Sequence, residues 1–128
     1  MRHLDGADPT QARLAAVLDV AAELGGWGEQ PPAGRARGLA CCVDVDTAVA
    51  MVAEISVDQA TGKISVHHVA AAMDAGLVVN PDGARAQVEG NIMWGVGSAL
   101  IEELTFANGQ VAAANFDGYP LLTMKEAP

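Results

Sequence analysis

Large rings and positive charge are both scarce in this sequence. Phe, Trp and Tyr together make up 4 % of its 128 residues, against 14 glycines, so close packing must rely on small side chains. Lys and Arg number 7 against 16 Asp and Glu, for a net charge of -9. No basic run exceeds Arg35-Ala36-Arg37, which excludes a nucleic-acid partner, because phosphate binding draws its affinity from clustered cations. No apolar stretch approaches the ~20 residues of a membrane helix. The opening Met1-Arg2-His3-Leu4-Asp5 lacks the apolar core of a signal peptide, so the expected compartment is the cytoplasm. The cysteines are only two, Cys41 and Cys42, and they are neighbours. On a strand they point to opposite faces, and a bond between them would be strained. They read as two small buried or half-buried hydrophobes in a reducing compartment; a vicinal redox or metal site is the less favoured alternative. Two cysteines do not hold an iron–sulfur cluster, which takes four.

What is present is the composition of one small folded domain. Hydrophobic residues reach 51 % and charged residues 18 %, the reverse of the balance that keeps a chain disordered. Asp8-Pro9 is an N-cap followed by proline at the first helical position. Leu14, Val17, Leu18, Ala21 and Leu24 then form one apolar stripe, and Gly25-Gly26 ends the helix. A Gly/Pro-rich connector fills 26–38. Strands are expected over 39–46, 48–57 and 63–73, the second with Val49, Met51, Ala53, Ile55 and Val57 as its shared apolar face. The five residues 58–62 make a hairpin loop; they lack the repeated Asp/Asn ligands and distal Glu of a calcium loop.

Asn80-Pro81 opens a second helix over about 82–101. Ala84, Val88, Ile92, Val96 and Leu100 share one side of it; Gln87, Gly90, Asn91, Trp94 and Ser98 share the other. Asn108-Gly109 joins strands 103–106 and 110–114 through a type I′ turn. The core is expected over 39–116, and the tail over 117–128 reads as extended. The element order predicts an α+β fold, a two-layer sandwich of two main helices on a mixed or antiparallel sheet, in a single domain over 1–128.

Gly90, Gly95 and Gly97 all fall inside the second helix, at a combined cost of about 3 kcal/mol relative to alanine. Either another backbone or a ligand approaches there, or the helix bends; the plainer alternative is tight packing on its own sheet with Gln87 solvated. An exposed glutamine both donates and accepts, which suits a heterocycle with mixed hydrogen-bonding edges. Gly95-Val96-Gly97 is no dinucleotide fingerprint, since it follows no strand and Leu100 replaces the third glycine. His67-His68 diverge on a strand, Asp44 and Asp46 lack a further ligand, and Glu102-Glu103 have no nucleophile beside them. No residue is assigned a catalytic or metal-binding role.

Several motifs taken together carry a resemblance: Asp74-Ala75-Gly76, Asn80-Pro81, Gln87-Val88-Glu89-Gly90, Gly95-Val96-Gly97 and Glu102-Glu103. The chain resembles the molybdenum-cofactor-binding large subunit of the xanthine oxidase and aldehyde oxidase family. Trp27-Gly28, the run Val52-Ala53-Glu54-Ile55-Ser56-Val57, Arg85-Ala86-Gln87 and the run Asn115-Phe116-Asp117-Gly118-Tyr119-Pro120 resemble its isoquinoline 1-oxidoreductase beta branch. The resemblance implies an enzyme that hydroxylates an aldehyde or N-heterocycle with oxygen from water and passes electrons to iron–sulfur clusters. It implies molybdopterin as the cofactor, with Gln87 as a hydrogen-bonding partner and Gly90 beside it. It implies that Asp74, Gly76, Asn80 and Pro81 shape the loop entering the helix, a structural rather than a catalytic part.

The departures carry expectations of their own. The family's catalytic glutamate sits in a Gly-Glu motif that none of Glu102, Glu103 and Glu126 matches. The other cofactor-contacting segments and the iron–sulfur cysteines are not among these residues, and Asn91 replaces a small residue. The chain is therefore expected to be a piece of a molybdenum hydroxylase large subunit that is inactive alone and binds no cofactor by itself. Its expected partners are the rest of that subunit and an iron–sulfur subunit, with the periplasm an alternative compartment for the parent enzyme. The competing reading is a non-catalytic module that reburies its exposed apolar surface by self-association.

Overall fold

The computed structural model of the chain describes residues 9–113 and 115–128. The expected N-cap Asp8 and the strand residue Ala114 lie outside the described residues. The chain divides into two compact units at Pro81–Asp82.

The first unit is one helix on one sheet. Helix α1 (Pro9–Leu24) is followed by strands β1 (Arg35–Asp44), β2 (Thr47–Val57) and β3 (Ile64–Asp74). The sheet is antiparallel in the order β1-β2-β3. β1 begins inside the expected connector, because Arg35 and Arg37 pair with Ser56 and Glu54 on β2. The β1–β2 turn falls at Val45-Asp46, inside the end of the expected strand 39–46. Val45 and Asp46 both take positive φ, at 44° and 63°, the geometry that lets a two-residue loop follow the strand twist. A β-branched residue is a rare occupant of that conformation, which is why the sequence showed no turn there.

The inward face of β2 is the reverse of the one its larger side chains suggest. Ala48, Ala50, Val52 and Glu54 are buried, whereas Val49, Met51, Ala53 and Ile55 are half-buried. Val17 and Ala21 of α1 close over Ala48 and Ala50, with Leu14, Leu18 and Ala72 at the rim. The reason is steric: a helix approaches a sheet closely only over small residues, and the α1 side of β2 carries alanines. The contact is tightest at Gly25, where an added Cβ would stand 2.4 Å from the Val52 Cβ. Leu24, expected in the apolar stripe, is instead 62 % exposed, because the helix ends as it reaches Val52.

Two ion clusters fix the ends of this layer. Glu54 is the one buried charged residue among the described residues, 8 % exposed. It accepts from Arg35 at 2.6 Å and from Arg37 at 3.0–3.1 Å, and these cations, Arg35 first, hold its carboxyl below the usual range. Arg37 also donates to the Gly26 carbonyl, which pins the connector to the sheet. At the other end, Arg13 on α1 grips the Asp74 carboxylate with Nε at 2.9 Å and Nη2 at 3.0 Å, and reaches Asp46 at 3.0 Å. Asp74 in turn accepts from the Gly76 amide at 2.9 Å. The guanidinium above all, and then that amide, lower the Asp74 carboxyl from 3.8 to about 2.

The second unit holds α2 (Pro81–Leu100), a short hairpin of β4 (Phe106–Ala107) and β5 (Gln110–Val111), and a 3-10 turn at Phe116–Gly118. Asn108 and Gly109 take φ of 52° and 77°, as a type I′ turn requires. The paired strands are shorter than the expected 103–106 and 110–114. The expected extended tail contains the 3-10 turn, capped by the Asn115 side chain on the Phe116 amide, and a turn in which Glu126 accepts from Thr123. The α+β content expected from the sequence is present, and the three-stranded sheet is antiparallel.

Two outcomes follow. Gly25→Ala will lose about 1–3 kcal/mol of stability in urea unfolding, the usual cost of overpacking, and combined with Val52→Gly, which removes the opposing β- and γ-carbons, the loss will be smaller than the sum of the two single losses; additive losses would refute the close approach. The depressed Asp74 carboxyl contributes stability that is complete above its unfolded value of 3.8 and is lost as the pH falls towards about 2. Asp74→Asn will therefore be less stable than the parent at pH 7 and will lose less on going from pH 5 to pH 2.5, measured by thermal unfolding across that range.

Candidate functional site

Helix α2 is where the sequence-derived candidates meet. Proline at its first position has no N–H to leave unpaired, and Asp82 places a negative charge in the first turn, where the helix dipole favours it. Ala84, Val88, Ile92 and Val96 are half-buried along one side, whereas Leu100, expected on that side, is exposed at the helix end. Gln87, Gly90, Asn91, Trp94 and Ser98 are exposed along the other, Trp94 at 77 %. Gln87 and Gly90 are three positions apart and so lie one above the other on that exposed side.

The three interior glycines separate into two kinds. At Gly97, the buried residue of the helix, an added Cβ would stand 2.8 Å from the Glu102 Oε1. Glu102 folds back over the helix end: its backbone N–H donates to the Gly97 carbonyl at 2.9 Å, and its carboxylate accepts from Ser98 at 3.4 Å and from the Tyr119 hydroxyl at 2.9 Å. That last bond raises the Tyr119 hydroxyl above its ordinary value, because losing its proton would set an anion beside a carboxylate. Gly97 is therefore explained by the chain's own packing. Gly90 and Gly95 are not, since a Cβ at either would meet nothing within 4 Å among the described residues.

Sequence reasoning left Glu102 without a role. Its place beneath Tyr119 depends on residues 17 apart, and the only local sign was a glycine five positions before it. The pair forms the polar part of a cavity of about 520 Å³, otherwise lined by Met93, Trp94, Leu121, Leu122 and Met124 with Thr123. The remaining candidates stay apart from one another. Cys41 and Cys42 are both exposed free thiols rather than the buried or half-buried hydrophobes expected, because they lie on β1, an edge strand of the sheet; their register with Ala50 and Val49 sets them on opposite faces. His67 is the extra residue at a β-bulge and lies 2.7 Å from the Ser56 hydroxyl, exposed and with no carboxylate to orient it. Among the described residues no group of three His, Cys, Asp or Glu side chains is placed to hold a metal ion. No helix among them is long and apolar enough to cross a membrane.

A helix side that offers an amide next to bare backbone suits a flat, polar ring system. Gln87 supplies one donor pair and one acceptor, and Gly90 lets a ring approach the backbone more closely than any other residue would. Residues 36–128 match the sequence model of the molybdopterin cofactor-binding domain. The chain belongs to that family. It is 36 % identical to the beta chain of isoquinoline 1-oxidoreductase from Brevundimonas diminuta over 122 residues, which cover 93 % of this chain and 16 % of that protein. It is 34 % identical to a membrane-bound aldehyde dehydrogenase of Gluconacetobacter polyoxogenes over 121 residues, 91 % of this chain and 16 % of that protein. Over 119 residues, 88 % of this chain and 15 % of the relative, it is 29 % identical to the large subunit of nicotine 6-hydroxylase from Paenarthrobacter nicotinovorans. The chain thus spans about one-sixth of the length of these curated relatives. Molybdopterin is the cofactor of this family, and two of these relatives are named as one subunit of an enzyme. The whole of α2, with Gln87, Gly90 and Gly97, falls inside the matched family span.

The two kinds of glycine in this molybdopterin-domain helix respond differently to substitution. Gly90→Ala will stabilise the chain by about 0.8–1.0 kcal/mol in urea unfolding, because it removes an exposed helical glycine without meeting a neighbour. Gly97→Ala will fall short of that gain, since its methyl displaces Glu102 from Tyr119. Equal gains would show that the Glu102 contact has no energetic weight.

Proposed function

We propose that this chain is part of the cofactor-binding domain of a molybdenum hydroxylase large subunit and contributes one wall of the molybdopterin site. The observation that carries this reading is the exposed side of α2, where Gln87 and Gly90 lie together and Gly90 has open space above it. When bound, molybdopterin supplies the molybdenum centre that accepts electrons in hydroxylation of an aldehyde or N-heterocycle. The chain's own part is to hold and orient it. Gln87 would hold it through its amide, which both donates and accepts, and the bare backbone at Gly90 would leave room for a ring. Asp74, fixed by Arg13 and by its bond to the Gly76 amide, sets the turn that leads towards Asn80-Pro81.

Residues 1–128 act as one domain-sized piece of that subunit, and the isolated chain neither retains the cofactor nor turns over. Two of its carboxylates are already committed to local structure, Glu102 to Tyr119 and Glu126 to Thr123, and one wall supplies too few contacts to hold a pterin. The rest of the large subunit and an iron–sulfur subunit complete the enzyme, in the cytoplasm or, for the parent, the periplasm. A second reading, a non-catalytic self-associating module on the same fold, is favoured by the apolar outer face of the sheet.

Metal analysis and dye-linked assays with isoquinoline and an aldehyde test the first reading. The purified chain will carry no stoichiometric molybdenum and reduce no dye. Placed in the Brevundimonas beta chain in exchange for the matching segment, it will support molybdenum retention, and Gln87→Ala in that chimera will lower retention roughly five- to tenfold, the worth of one hydrogen bond of about 1 kcal/mol. Retention unchanged by Gln87→Ala would remove the assigned role, and turnover by the isolated chain would refute its dependence on the rest of the subunit.

A further inference from the structure

Trp94 is the large apolar side chain on the exposed side of α2. It also lines the cavity of about 520 Å³ with Tyr119, Leu121 and Leu122, yet 77 % of it remains exposed. Tryptophan is a poorer helix former than alanine, so neither the chain's own packing nor helix propensity accounts for it. We propose, resting on the molybdopterin reading of this helix, that Trp94 is a further residue of the pterin wall and holds the heterocycle by aromatic contact, beside Gln87 and Gly90.

Helical spacing brings the three groups together. Gln87, Gly90 and Trp94 follow one another at three and four positions, so they line one side of the helix over about 10 Å of its length. Long helical side chains lean back over the preceding turn, which for Trp94 is the turn of Gly90. A Cβ at Gly90 would nonetheless meet nothing within 4 Å among the described residues, so the indole stands at the edge of the bare backbone without covering it. The three offer complementary contacts. The amide satisfies the polar edge of a heterocycle, the bare backbone leaves room for it, and an aromatic ring contacts its π-face, as it does for a nucleic-acid base. With the exposed Asn91 and Ser98 beside them, this side carries no charge, which suits a neutral ring rather than a phosphate or a carboxylate. A single exposed apolar residue needs no explanation; one that stands beside an amide and an open helical glycine points to a flat ligand.

Two measurements test the assignment, neither of them turnover. In N–H correlation spectra of the full chain, millimolar hydroxymethylpterin will move the indole signal of Trp94 and the side-chain amide of Gln87. It will leave the indole signal of Trp27 in place, with Trp27→Phe to assign the two. In the chimera with the Brevundimonas beta chain, Trp94→Ala and Trp94→Leu will each lower molybdenum retention roughly tenfold, within the range of one aromatic stacking contact, while Trp94→Phe will stay within about threefold of the parent. The unfolding temperature of Trp94→Ala will be no lower than the parent's, both in the isolated chain and in the molybdenum-free chimera. If Gln87 responds in these experiments and Trp94 does not, the proposal falls and the cofactor reading stands; if neither responds, both fall. Retention by Trp94→Leu equal to that of Trp94→Phe would show apolar burial in place of aromatic contact. Earlier unfolding of Trp94→Ala would set protein, from this chain or from the rest of the subunit, against the indole. Either result would overturn the proposal.

Discussion

Helix α1 lies so close to β2 that its end leaves no room for a single β-carbon: at Gly25 one would stand 2.4 Å from Val52. The rest of the first unit depends on that approach. Alanines at 48 and 50 let Val17 and Ala21 settle on the sheet, and burying these residues supplies the apolar free energy that holds the layer together. The small core is also why polar contacts matter here. Arg13 ties the helix to the strand ends at Asp46 and Asp74, and Glu54, beneath two arginines, ties the connector to the sheet. A buried carboxylate without those cations would be costly, so β1 must begin early enough to bring Arg35 and Arg37 opposite it.

The same economy of large side chains shapes α2. Its glycines cost helix stability wherever they stand, yet they stand there for different reasons. Gly97 makes room for Glu102, which closes the helix end and anchors Tyr119. Gly90 makes room for nothing among the described residues. A destabilising residue with no internal cause is a physical reason to look outward, and the molybdopterin domain to which the chain belongs suggests what would lie there. The half-buried row of β2 invites the same question about the sheet.

Much of this was legible before the fold was known. The Pro9 and Pro81 helix starts, the loop at 58–62 and the Asn108-Gly109 turn are written in local chemistry, and the structure places elements at each. The motifs from Asp74 to Glu103 were enough to identify the family. The turn at Val45-Asp46 was missed because valine seldom adopts positive φ. The early start of β1 was missed because glycine and proline near Arg35 resemble a connector, and the pairing with Glu54 that overrides them is not local. The bond between Glu102 and Tyr119 was missed because it closes a loop whose ends meet only once the hairpin is formed.

By itself the sequence determined the order of elements, most of the turns, the two sides of α2 and the family. Each rests on periodicity, turn chemistry or motif, which act over a few residues. It did not determine which face of β2 is inside. Both faces of that strand are apolar, so alternation marks them as different without ranking them, and size ranks them wrongly. Only the position of α1 decides, because a helix can come close only over alanines. Tertiary structure likewise divided the helical glycines into one held by the fold and others left bare, since a missing β-carbon has meaning only when the atoms around it are known.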